Sequence, residues 1–198
     1  MIYSLLTGLA AAWTVPQLAT PLVATSSSAA VRCNDPQLCG ILAVSGSKQS
    51  SEALRLQTLT LQRLIRHRGP DGSGVHVMDN EDGTHSAIAH ERLAIMDPLS
   101  GNQPLYSKDR KLSLAVNGEI YNYKDLRARV NDESKFRTGS DCEPIVHLYE
   151  QVGDEVASLL DGDFALVIMN EETGECAARC RRRVDGGRRV AALPTPLS

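Results

Sequence analysis

Aromatic residues are scarce in this chain: one Trp, two Phe and five Tyr among 198 residues. A surface that stacks nucleobases needs several such rings, so single-stranded nucleic acid is a poor fit. Strong charge of either sign is lacking too. The net charge of −3 gives no field to draw the chain onto a polyanion or an anionic membrane. No run of about 18 apolar residues occurs, so no segment reads as a membrane-spanning helix. There is no C-x-x-C pair, and the five cysteines, at 33, 39, 142, 176 and 180, are odd in number. That argues against a disulfide framework or a zinc finger, and for separate thiols in a reducing compartment.

Residues 1–30 hold no charged side chain at all; Arg32 comes just after. A secretory signal wants a basic start and a transit peptide wants several arginines. The segment satisfies neither, and a targeting peptide and a misplaced gene start stand level as explanations. With Pro16, Pro21 and the Ser26–Ser28 run, residues 1–38 read as a disordered or removable extension. The expected location is the cytoplasm, or an organelle if residues 1–38 are a transit peptide.

Elsewhere the composition is ordinary, with 42% hydrophobic and 23% charged residues, and the length suits one domain with a real core. Ile41–Val44 is a short apolar run, a strand. Residues 52–67 carry Leu54, Leu61, Leu64 and Ile65 at helical spacing, with Ser50 or Ser51 as N-cap. Gly69-Pro70-Asp71-Gly72 breaks the chain. Residues 75–78 and 86–96 read as strands joined at Glu81-Asp82-Gly83, and Leu112, Leu114 and Val116 alternate into Asn117-Gly118. Ser140 and Glu143 have capping-box spacing, with Pro144 in the first turn. The helix behind them is expected to bury Ile145, Leu148, Tyr149 and Val152. Residues 164–169 form a buried strand. This order favours an α+β fold built on antiparallel sheets.

Five segments carry the chemistry: Cys39-Gly40-Ile41, Arg66-His67-Arg68-Gly69-Pro70-Asp71-Gly72, His90-Glu91-Arg92-Leu93, Val116-Asn117-Gly118-Glu119-Ile120-Tyr121-Asn122, and Thr138-Gly139-Ser140-Asp141-Cys142-Glu143. Each has a plain reading. Cys39 is a small core residue entering a strand. Asn117-Gly118 is the commonest hairpin signal. Arg92 is a charge at a strand edge, and Asp141 a helix cap. Residues 67–71 are a helix end, where cations are favourable, followed by a tight turn. The histidines at 76, 85, 90 and 147 have no metal-site spacing.

Together, in this order and spacing, the segments resemble the glutaminase domain of the glutamine-dependent asparagine synthetases. That domain is a class II, N-terminal nucleophile (Ntn) glutamine amidotransferase, and the likeness covers residues 39–175. The resemblance implies a four-layer αββα sandwich of two antiparallel sheets, incomplete here at its C-terminal end. It implies glutamine hydrolysis to glutamate and ammonia. Cys39 is then the nucleophile, and its own α-amino group, with a pKa of about 7.7–8.0, is the base. Asn117 and Gly118 become oxyanion donors, with a glycine allowing close backbone approach. Arg92 is assigned the substrate carboxylate, Asp141 its ammonium, and Glu119 a further contact near the amine. Leu93, Ala94, Ile95 and Met96 line the pocket, partly through backbone groups, and residues 67–71 are structural support.

The implied partner is L-glutamine, with no nucleic acid and no membrane, and a homodimer as the full-length enzyme. No cofactor is expected in this chain; ATP and magnesium belong to a synthetase domain that lies outside it. Other class II amidotransferases, such as glucosamine-phosphate synthase or a purine-pathway amidotransferase, and a non-catalytic glutamine-binding remnant remain as alternatives.

Two departures matter. Residues 1–38 precede Cys39; while they remain its nitrogen is an amide, and the thiol is expected to be inert toward glutamine. Residues 176–198 read as a non-family tail that leaves sheet edges open. One codon choice for Ala178–Val184, read one base later, encodes R-D-A-V-G-V, the motif expected there, so a frameshift near 176–179 is the proposed origin of the tail.

Overall fold

The short apolar run after Cys39 nucleates the first of two sheets in the computed structural model, which describes residues 9–13, 39–130, 132–184 and 187–192. That sheet has the order β1-β2-β4-β3, with β1 Leu9–Trp13, β2 Gly40–Ser47, β3 Gly72–Asp79 and β4 His85–Arg92, all pairs antiparallel. The β3–β4 turn is held locally, with Thr84 N donating to Asp82 Oδ1 at 2.9 Å and Gly83 at φ +77°. The second sheet has the order β5-β6-β7-β8-β9: β5 Leu105–Tyr106, β6 Leu112–Ile120, β7 Gly162–Asn170, β8 Cys176–Val184 and β9 Gly187–Ala192. Its pairs are antiparallel too.

Ile41, Ala43, Met78 and Ile88 from the first sheet meet Ala115, Val167 and Met169 from the second in one buried cluster between the layers. Helices cover the outer faces. Helix α1, Ser51–Leu64, packs on the first sheet through Leu54, with Ser50 as N-cap accepting from Ala53 N at 3.3 Å. Helices α2 Tyr123–Val130, α3 Glu143–Val152 and α4 Val156–Leu159 cover the second, where Leu126, Ile145, Leu148 and Val156 join Leu114, Val116, Leu166 and Ile168. The result is the expected αββα sandwich.

Several details differ from the sequence reading. Residues 93–96 leave β4 and form a loop, because the ladder with β3 ends at the Gly72↔Arg92 pair. Leu64 is 70% exposed, and the inner face of α1 uses Thr58 and Gln62 instead. These two are tolerated because each finds a carbonyl: Thr58 Oγ1 donates to Leu54 O, and Gln62 Nε2 to His90 O and Gly74 O. Helix α2 gave no sequence signal, since it buries only Leu126 and Val130. In α3, Val152 is exposed whereas Val146 and His147 are buried. Its capping box does not form: Ser140 Oγ accepts from Cys142 N, and the Glu143 carboxylate accepts from Arg137 N, Thr138 N and Thr138 Oγ1.

Asn117-Gly118 makes no turn. The β6–β7 ladder runs through it, pairing Asn117 with Ala165 and Gly118 with Phe164. Gly118 sits at φ +143°, and a Cβ there would lie 2.0 Å from Asp163 O. The glycine therefore serves close strand approach rather than reversal.

Both ends of the chain add strands where none were expected. Leu9–Trp13 lies along β2, within the segment read as extension. Cys176–Val184 and Gly187–Ala192 extend the second sheet beyond residue 175, so the 176–198 region supplies edge strands instead of leaving β7 open.

Gly74 lies where β3 meets the loop before β5, and a Cβ would sit 2.0 Å from Gln103 O. Gly74→Ala is expected to lower stability by about 3 kcal/mol. Gly46→Ala, with open space but φ +67°, should cost only about 1 kcal/mol. Urea unfolding of the two variants tests the ranking.

Candidate active site

Three chain reversals bring the marked segments to one end of the sandwich. Gly40 pairs with Glu91 at the end of the β2–β4 ladder, and just beyond it Cys39 meets Leu93, the residue that follows Arg92. Leu93 N donates to Cys39 Sγ at 3.2 Å, and the thiol faces Leu93 O at 3.7 Å. From the second sheet, the end of β6 brings Asn117, Gly118 and Glu119. From the loop before α3, Asp141 reaches back, its Oδ2 accepting from Ile120 N at 2.9 Å. Cys39, Arg92, Leu93, Ile95, Met96, Gly118, Glu119 and Asp141 line one cavity of about 40 Å³, together with Gly101, Gln103, Val116, Ser140 and Cys142.

Two expected residues stand apart from that lining. Ala94 is turned away, its N–H donating to Asp71 Oδ2 at 2.9 Å. Asn117 is 4% exposed, and its Oδ1 has no hydrogen-bond partner among the described residues. Arg92 borders the cavity, but its guanidinium donates to the loop it begins: Nη1 to Pro98 O and Asn102 Oδ1, Nη2 to Met96 O and Asp97 O. Its donors are thus engaged by protein carbonyls in this conformation.

The electrostatics centre on the thiol. Burial raises the Cys39 pKa, while the Leu93 N–H and the charges of Arg92 and Arg68 pull the other way without cancelling the rise. Arg68, in a segment read as mere support, is thereby part of the field at Cys39. Cys142 is raised further, first by burial and then by the adjacent Asp141 carboxylate. His90 donates from Nε2 to Val116 O at 3.0 Å, and burial lowers its pKa from 6.5 to about 4. It is a neutral cross-sheet strut. Among the described residues no group of three or more His, Cys, Asp or Glu side chains is placed to hold a metal ion.

The sequence reading passed over several positioning groups. Gln103 Oε1 accepts from Val116 N at 2.6 Å, where β5 no longer supplies a partner. Gly69 lets the 66–71 loop close on β4, since a Cβ would lie 2.3 Å from Glu91 O. Asp71 and Asp97 each hold a backbone N–H of a neighbouring loop. Spacing marks none of the polar ones, because their partners are far away in the chain.

A small cavity with a backbone-held thiol, converging backbone groups and a carboxylate is suited to acyl transfer from a small polar substrate. The family model described as a glutamine amidotransferase domain matches residues 38–184. The chain belongs to this family. The match also runs past residue 175, in agreement with β8. This amidotransferase domain is 51% identical over 133 residues to asparagine synthetase [glutamine-hydrolyzing] 3 of Arabidopsis thaliana, covering 67% of the chain and 22% of the relative. The corresponding Asparagus officinalis protein is 49% identical over 133 residues, with the same coverage. The domain thus spans about a fifth of the length of these curated relatives. Among solved structures, the glutamine phosphoribosylpyrophosphate amidotransferase of B. subtilis superposes with a TM-score of 0.52 at 22% identity, covering 77% of this chain and 41% of that one. That likeness shows the shared Ntn-hydrolase fold. No helix among the described residues is long and apolar enough to cross a membrane.

Two outcomes are expected from the titrations. His90 has a folded pKa of about 4 against 6.5, so between these values the unfolded chain binds the extra proton. Stability therefore falls as pH drops from 6.5 towards 4, by at most about 3 kcal/mol from this group. Urea unfolding across that range should show the loss, and His90→Gln should flatten the slope. Separately, iodoacetamide labelling of Cys39 in the full chain should be slow at neutral pH, with its midpoint above about 8.5, the ordinary thiol value. Site-resolved mass spectrometry reads this out; a midpoint below it would contradict the raised pKa.

Proposed function

We propose that this chain is the glutaminase part of a glutamine-hydrolysing asparagine synthetase, releasing ammonia from the side-chain amide of L-glutamine. One observation carries the reading: Cys39 lies in the same cavity wall as Arg92, Gly118, Glu119 and Asp141, the groups needed to attack an amide and to read a free amino acid. In this reading residues 1–38 are removed, so that the Cys39 amine can take the thiol proton. The thiolate then adds to the amide carbon, and the oxyanion forms against the Gly118 N–H and the Asn117 side-chain amide. Collapse expels ammonia, with the proton returned by the amine, and leaves a thioester. Water, deprotonated by the same amine, releases glutamate and the thiol.

Arg92 answers the substrate carboxylate, exchanging loop carbonyls for it. Asp141, one oxygen committed to Ile120 N, answers the ammonium together with Glu119. Leu93, Ile95 and Met96 form the loop wall. Conversion of aspartate to asparagine, with its ATP and magnesium, and assembly as a homodimer belong to the length of the relatives that this chain does not cover. A reducing compartment, the cytoplasm or an organelle, suits a free catalytic thiol.

A second reading draws on the sequence itself, where the Cys39 nitrogen is joined to Leu38. In that form the domain would bind glutamine without turnover. Ammonia release should therefore be measured for the full chain and for a form beginning at Cys39. Turnover is expected only from the latter. Cys39→Ala should abolish it, and Asn117→Ala should lower kcat by about 100- to 1,000-fold. A well-folded form beginning at Cys39 that releases no ammonia would leave the binding reading in its place.

A further inference from the structure

The two loops expected to read the α-amino acid end of glutamine come from different parts of the chain. One, 93–102, is gathered around the Arg92 guanidinium. The other, 137–142, carries Asp141. The Asp97 side chain joins them. Asp97 Oδ2 accepts from Gly139 N at 2.7 Å, across a separation of 42 residues. Its Oδ1 accepts from Ser100 N at 3.2 Å, and the Ser100 hydroxyl also bonds the carboxylate. Its backbone carbonyl accepts from Arg92 Nη2 and from Gly101 N. Asp97 sits at φ +45°, a left-handed conformation that Asp and Asn tolerate better than other side-chain-bearing residues.

We propose that Asp97 is a positioning residue for glutamine binding, its carboxylate fixing the spacing between Arg92 and Asp141 by tying Gly139 to the turn at Ser100. The inference rests on the glutaminase reading. Both carboxylate oxygens accept backbone N–H groups, so an amide cannot replace them: one of its two ends is a donor and would face a donor. Asn nevertheless suits the left-handed backbone. Asp97→Asn therefore can keep only one of the two N–H bonds, breaking the joint hold on Gly139 and Ser100 while sparing the local conformation.

The test uses the full chain and needs no turnover. L-glutamine should shield Cys39 from iodoacetamide, and the concentration giving half protection measures binding. Asp97→Asn should raise that concentration roughly tenfold, the scale of a charged hydrogen bond. The labelling rate without glutamine should stay within about twofold, since the Leu93 N–H and the wall around Cys39 are unchanged. Ser100→Ala, which keeps the Gly139 tie, should bind nearly as the unaltered chain does. General damage to the fold would move both readouts together. If the unaltered chain is protected and Asp97→Asn needs no more glutamine, the positioning role is wrong while the glutamine site stands. If L-glutamine does not protect the unaltered chain, the glutamine site and the role of Asp97 both fall. Equal shifts in binding and labelling would also overturn the role, reducing Asp97 to a stability residue.

Discussion

The hydrogen bond from His90 Nε2 to Val116 O ties one sheet to the other, and the site is built on it. The bond is fully buried, where an unmade polar partner is costly. It requires a proton on Nε2, and burial keeps the ring that carries it neutral. Its two ends are themselves held. Gln62, from the outer helix α1, donates to the His90 carbonyl, and Gln103 accepts from the Val116 N–H. A polar string therefore runs from α1 through both sheets to the loop before β5. It crosses the layers one pair away from Gly40 and one residue before Asn117. The separation between thiol and prospective oxyanion donors is thus set by a side chain, since the apolar interlayer cluster alone would tolerate sliding.

Outward from that strut the site is made of loops, and carboxylates hold them. Asp71 takes Ala94 N, Asp97 takes Gly139 N, Asp141 takes Ile120 N, and Glu143 takes Arg137 N and Thr138 N. Each acid satisfies a backbone donor that no strand or helix would reach. The rim of the cavity consequently gains definition without regular structure. Arg92 does the converse, gathering carbonyls of residues 96–98. Acids and base together hold two loops in the lining of one cavity.

Much of this was legible in the sequence, for identifiable reasons. Segments with a single period and a clear end, such as Ser50 before α1 or the run within β7, were placed correctly because local chemistry decides them. Four of the five motif segments supply residues to one cavity, and none of residues 66–72 is among its lining. What failed was whatever depended on a distant partner. Asn117-Gly118 has the composition of a turn, but the approach of β7 keeps it extended. Ser140 and Glu143 have the spacing of a capping box, but Arg137 and Thr138 offer Glu143 better donors. Gln62 and Thr58 look like solvent-facing positions on α1, and only the carbonyls beneath them make burial tolerable. In the tail, Arg181 looks solvated, yet it lies 6% exposed with Nη2 on Ala157 O and the guanidinium near the Phe164 ring. Its stem and planar head can cover apolar surface while the carbonyls take its protons.

The thiol carries the last step of the argument. Burial raises the Cys39 pKa more than Arg92, Arg68 and the Leu93 N–H lower it, so within a continuous chain the nucleophile is predominantly protonated near neutrality. No histidine is among the residues lining the cavity to take that proton, and His90, the nearest along β4, is committed to Val116. A base must come from elsewhere, and the nitrogen of Cys39 itself is already at the thiol. As an amide it has no basicity. As a free amine it would titrate near neutral pH and could accept the proton within one residue. On the proposed glutaminase reading, cleavage before Cys39 is therefore what supplies the missing base, and it detaches the segment that carries β1.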